Sequence, residues 1–216
     1  MKLSNLLSYE GKGIISWHLI LSSVFVFTLI SFSSANADPA TNAEEYTAQF
    51  NEAGELIRPN AWREWIFVGS PVTPNSLNSG AAPFPEFHSV YIDPVSWAHW
   101  KKTGKFREGT MFAKELTLVG DTAATSGKGF FNGELQGFEI AHKDSKRYSK
   151  ETDGWAYYTF GHKPEPYNNS TMAMPTAACA ACHTAAAADD MVFTQYYPIL
   201  RAAKGAGEAG AGVGGK

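Results

Sequence analysis

Apolar residues in the middle of this chain come in short runs, rich in aromatic and β-branched side chains and bounded by Gly, Pro, Asn and Ser. Such runs read as strands, because those side chains fill a pleated surface and the bounding residues end it. They predict strands over residues 63–69, 87–92, 110–119, 135–142 and 155–160, with Phe130 and Phe131 as part of a hairpin arm after a turn at 127–129. Gly133 and Gly137 are read as kinks or bulges in that arm. Residues 71–85, dense in Pro, Asn, Ser and Gly, are read as a long loop.

Helical signals are fewer. A short helix is expected over 41–49. Asp93 followed by Pro94 is a helix start, with Asp as cap and Pro at the first helical position, and Gly104 is its stop. Trp97 and Trp100 then share a face. An Ala-rich helix is expected over 175–188, and Asp189 or Asp190 is expected to cap a last helix, kinked or broken at Pro198. The predicted class is α+β: an antiparallel β-sheet with flanking helices and a helical C-terminal segment.

The two ends carry a different pattern. Lys2 and Lys12 precede an apolar stretch over 19–32, and Ala35-Asn36-Ala37 follows. That is the layout of a secretory leader cleaved after Ala37. The stretch is shorter than the roughly 20 residues of a membrane span. The expectation is an exported, periplasmic protein with no span in its mature form: a domain over 38–204 and a Gly/Ala-rich disordered tail over 205–216. Removing Lys2, Lys12 and Glu10 leaves 16 basic and 20 acidic residues, a charge of −4. An acidic balance argues against a nucleic-acid partner.

Composition narrows the chemistry through its two cysteines. They stand in Cys179-Ala180-Ala181-Cys182-His183. A redox pair would sit near the start of a βαβ unit, and a zinc site would need a fourth ligand that is not evident. Covalent haem needs only these residues, with each thiol adding to a vinyl group and His183 taking the iron from the proximal side. Met191 is the only methionine after the motif and is read as core packing. Met172 and Met174, just before it, are poor candidates for a ligand. The expected site is therefore haem c with an open distal position, suited to small-molecule chemistry rather than simple electron carriage.

One strand residue stands out. Lys114 shares a face with Phe112, Leu116 and Leu118, while Glu115 lies on the other face among Met111, Ala113, Thr117 and Val119. Charges in a buried-looking strand need a partner or a use. The plain reading is a Lys114 that snorkels from an edge strand and a Glu115 in a salt bridge.

These segments resemble the cytochrome P-460 family. The resemblance runs from Trp62 to Lys204 through REWIFVG, FHSVYIDP, SWAHWKKTGKFREGT, KEL at Lys114-Glu115-Leu116, HKDSKRY, GWAYYTF and DMVFTQYYPILRAAK. It implies a mostly antiparallel sheet, a homodimer, and haem c on Cys179, Cys182 and His183. It also implies a further bond from the Lys114 nitrogen to a meso carbon of the porphyrin. The implied activity is oxidation of hydroxylamine to nitrous oxide, nitric oxide or nitrite, with electrons leaving to an acceptor cytochrome. Phe84, Phe87 and His88 are the distal candidates: the two phenylalanines as caps or as ordinary sheet packing, and His88 to hydrogen-bond a ligand or move protons, or as a surface or structural histidine. No carboxylate lies in the segment YNNSTMAMPTAA before Cys179, so a distal acid from there is missing. The alternative is a cytochrome c′-beta-like protein that binds nitric oxide without the cross-link or turnover.

Overall fold

The computed structural model describes residues 46–148 and 152–206. The expected leader, the first half of the expected helix over 41–49 and the tail from 207 lie outside them. Residues 46–49 form a turn and extended chain rather than a helix.

The frame is a five-stranded antiparallel sheet. Its strands are β2 (Ile66–Gly69), β3 (Phe87–Ile92), β4 (Met111–Val119), β7 (Asn132–Lys143) and β8 (Trp155–Thr159), in spatial order β2-β3-β4-β7-β8. Two-residue strands make small pairs outside it: β1 (Leu56–Ile57) with β9 (Ser170–Thr171), and β5 (Ala123–Ala124) with β6 (Gly127–Lys128). The tight turn of the latter hairpin is at Thr125 and Ser126, so Gly127 extends a strand instead of making the expected turn. Trp62–Glu64 is a 3-10 turn, which delays β2 past the Arg63 start expected for it.

The helices are α1 (Pro94–Thr103), α2 (Thr176–Ala186) and α3 (Pro198–Ala203). α1 starts and stops as its sequence dictates. The Asp93 carboxylate accepts the Ser96 amide at 2.8 Å, and Gly104 takes the left-handed conformation, φ 67°, that ends the helix. Asp93 does more than cap: its other oxygen accepts the Met111 amide at 2.9 Å, tying the helix start to β4. No helix is capped by Asp189 or Asp190. These residues open a tight turn, Asp189 to Val192, because Val192 N–H donates back to the Asp189 carbonyl at 2.7 Å. Pro198 is the first residue of α3 rather than a break inside it, consistent with its missing amide proton.

Strand alternation divides the core between the two sheet faces. Val68, Val90, Ile92, Phe112 and Trp155 meet Trp100, Phe106, Ala180, Val192 and Leu200 on one face. Met111, Ala113, Phe138, Ile140 and Tyr158 meet Leu56, Trp62 and Tyr167 on the other. Trp100 anchors the first layer: it is 1% exposed, stacks on Phe106 at 4.4 Å and donates its indole N–H to the Leu200 carbonyl at 2.8 Å. Burial of such a side chain contributes about 3 kcal/mol. The first layer is the one that carries α2.

Candidate functional site

The Cys-x-x-Cys-His segment lies within α2, an alanine-rich helix that has little to bury. Ala180 is its buried residue and sets it against the sheet. Gln195 fastens its far end, donating to the Ala186 carbonyl at 2.7 Å and accepting the Ala188 amide at 3.1 Å. Spacings of three and four residues put Cys179, Cys182 and His183 on neighbouring positions of one helix face. Both thiols are free; Cys179 is partly buried and Cys182 exposed. Burial pushes the Cys179 thiol up, and the charges of Glu139 and Lys114 act on it with opposite sign.

His183 is held as a ligand would be. Its ring sits between Tyr157 and Phe193, with centroids 4.4 and 4.5 Å away. Nδ1 lies 2.6 Å from the Met191 carbonyl oxygen. A carbonyl only accepts, so Nδ1 carries the proton and the lone pair is on Nε2. Burial pushes the imidazole below its ordinary value, against the Met191 hydrogen bond, which pulls it up. Met191 itself is core packing, as expected: it is buried, and its sulfur accepts the Thr184 hydroxyl.

Lys114 occupies the same sheet face as α2. β4 is the central strand, so the edge-strand reading of this lysine fails. Directly across on β7 stands Glu139, and Lys114 Nζ meets Glu139 Oε2 at 2.5 Å. Both side chains are 29% exposed. The pair thus stands on the sheet face against which Ala180 sets α2, and its two charges act with opposite sign on Cys179, His183 and His88. Glu115, on the opposite face, takes the salt bridge expected for it, with Arg63 at 2.5 Å.

His88 pairs with Leu116, two residues from Lys114 and on the same face. Burial, with Lys114 next, pushes its pKa down to about 4, and its Nε2 is buried with no protein partner. Phe84 lies near it, ring centroids 6.3 Å apart, and is half exposed. Phe87 pairs with Thr117 and by alternation points to the opposite face from His88 and Lys114, so β3 does not bring it to this site.

Sequence reasoning left out two carboxylates. Glu139 is one. Glu86 is the other: it is 3% exposed, Oε1 is 2.8 Å from His162 Nε2, and Oε2 is buried with no partner. His162 is thus paired with it. His142 is structural, buried with Nδ1 2.9 Å from the Tyr148 hydroxyl. Met172 and Met174 are exposed on the chain leading into α2.

The donor set fits haem c. It holds two unpaired thiols at vinyl-matching spacing, one neutral imidazole with a free Nε2 lone pair, and a lysine and a carboxylate on the facing strands. Among the described residues no three His, Cys, Asp or Glu side chains gather as a metal cluster. The sequence model of the family described as Cytochrome P460 matches residues 59–194. No curated protein matches the chain.

Proposed function

The chain belongs to the cytochrome P460 family and is a haem c cytochrome of oxidoreductase type, and from that premise we propose that it oxidises hydroxylamine. The reading is carried by one observation, the Lys114–Glu139 pair on the sheet face that carries the Cys-x-x-Cys-His helix. When bound, the haem supplies an open iron position for a substrate nitrogen and an outlet for electrons. The rest belongs to this chain.

Cys179 and Cys182 would hold the group through thioethers, and His183 would supply Nε2 to the iron. Lys114 would tie the macrocycle through its nitrogen, fixing its position and altering its electronics. Replacing the meso C–H bond by C–N releases two protons and two electrons, so the bond would need an added two-electron oxidant and a neutral amine, and the Glu139 carboxylate 2.5 Å away is placed to take the amine's proton. Oxidation of hydroxylamine releases at least as many protons as electrons, so the pocket needs a base as well as an electron sink. Glu139 is the candidate base, partly exposed and able to pass protons to water. His88, neutral with its pKa near 4, donates or accepts a hydrogen bond to a bound nitrogen ligand without adding charge. Phe84 covers that side. In this reading the protein acts in the periplasm as a homodimer and passes electrons to an acceptor cytochrome.

The absorption spectrum of the dithionite-reduced holoprotein, followed by hydroxylamine-dependent reduction of an acceptor dye, tests the reading. A Soret band displaced to the red of ordinary ferrous haem c, with turnover, supports it. An ordinary high-spin band and no turnover overturns it in favour of nitric oxide binding.

A further inference from the structure

The carbonyl that orients His183 belongs to a turn that its own sequence disfavours. Asp190 and Met191 are consecutive and both left-handed, with φ of 43° and 62°. They are the central residues of the turn closed by Val192 N–H on the Asp189 carbonyl at 2.7 Å, with Asp189 N–H returning to Val192 at 3.3 Å. Two positive φ values in such a turn are the signature of the primed type, which favours Asn and Gly. Asp tolerates the first position. Met has no reason to take the second. Something outside the turn holds it in this form.

Thr194 and Lys204 hold Asp189, the Tyr157 hydroxyl reaches the Met191 carbonyl at 3.4 Å, and the contacts from the sheet rim fall on Asp190. Its Oδ1 accepts Lys143 Nζ at 3.0 Å and the Trp155 indole N–H at 3.2 Å. Lys143 is 8% exposed, at the end of β7, and its ammonium also donates to the Asp153 carbonyl at 2.8 Å and lies 5.3 Å from the Trp155 ring. Lys143 and Trp155 face each other across β7 and β8. A buried ammonium at the rim of the sheet thus grips the turn, and the next carbonyl along, that of Met191, receives His183 Nδ1–H at 2.6 Å.

We propose that the Lys143–Asp190 ion pair is a clamp that sets the His183–Met191 hydrogen bond, making Lys143 and Asp190 positioning residues for the iron ligand. This rests on the reading of His183 as that ligand. A strong bond from Nδ1–H to an acceptor gives the imidazole imidazolate character, which strengthens its bond to iron and favours the ferric state. Releasing the turn weakens that bond.

The test is resonance Raman of the ferrous holoprotein together with its reduction potential. The iron–histidine stretching band is assigned by its loss in His183→Ala. In Lys143→Met the band moves to lower frequency and the potential becomes more positive, with the haem still attached. Asp190→Asn, which keeps the left-handed tolerance and shape but loses the charge, moves both in the same direction by less. It decides the matter alone if Lys143→Met does not fold. Asp93→Asn, a destabilising change remote from the turn, lowers the melting temperature and moves neither readout. If the wild type has no band that His183→Ala removes, the ligand assignment fails. If the band exists and neither clamp variant shifts it, the clamp proposal is overturned and the ion pair is structural only.

Discussion

Lys114 and Glu139 face each other across the two central pairing partners β4 and β7, with Nζ and Oε2 2.5 Å apart on the face that carries the Cys179–His183 helix. At nearly one-third exposure each, the ion pair contributes on the order of 1 kcal/mol to stability. Its weight is in chemistry. Glu139→Gln keeps size and hydrogen bonding but removes the base. The expected outcome is an unchanged haem content with hydroxylamine kcat lowered by about 10²–10⁴-fold, the usual range for loss of a positioned proton acceptor. Steady-state assays on protein of equal haem content check this, and wild-type kcat in the variant would remove Glu139 from the mechanism.

Lys114→Leu separates attachment from cross-linking. The thioether residues are untouched, so haem c stays on the chain through denaturation. The reduced Soret band should return to the position of ordinary ferrous haem c, because nothing then alters the macrocycle. Denaturing gels stained for haem and reduced spectra make the two measurements. A variant that keeps the wild-type spectrum would show that Lys114 forms no bond to the porphyrin.

Local signals made much of this legible in the sequence. Cys179, Cys182 and His183 are a contiguous word, and α1 announces itself through Asp93, Pro94 and Gly104. β3 and β4 appear where aromatic and β-branched residues cluster. What stayed hidden depends on pairing. Glu139 is a charge between buried Phe138 and Ile140, a visible anomaly, but only the β4–β7 register shows that it faces Lys114. The same holds for Phe87, whose face follows from its pairing with Thr117. The Asp189–Val192 turn went unseen for another reason: an aspartate before an apolar run is a helix-cap signal, and tertiary contacts from Lys143 and Trp155 override it.

Asp93 links two elements with one buried carboxylate. It is 0% exposed, accepts amides from Ser96 and Met111, and has Arg107 at 3.5 Å. Asp93→Ala leaves those two amides without their acceptor and removes the helix cap. The expected loss is about 2–4 kcal/mol of unfolding free energy, from the cap and the orphaned donors together. Urea unfolding at neutral pH measures it. A loss under about 1 kcal/mol would mean that water replaces the carboxylate without cost and that the β4 tie is unimportant.

Acid sensitivity follows from His142, which is 3% exposed and bonded at Nδ1 to the Tyr148 hydroxyl at 2.9 Å. Burial is the main cause that lowers its pKa to about 4, while the flanking charges of Asp144, Arg147, Arg107 and Glu108 oppose one another. The unfolded chain titrates this group near its ordinary value of about 6.5. Between those values the unfolded state binds a proton that the folded state refuses. Stability is therefore full above about 6.5, falls as pH drops through the window, and has lost the contribution below about 4. The full loss is on the order of 3 kcal/mol for this histidine, and His88, lowered to about 4 by the same cause, adds a similar slope. His142→Asn should start less stable at pH 7.5 because the ring packing is gone, yet lose less between pH 6.5 and 4.5 than the wild type. Urea midpoints across that range for both proteins decide the matter: equal pH slopes would mean that His142 is protonated in the folded state and that its burial does not control acid unfolding.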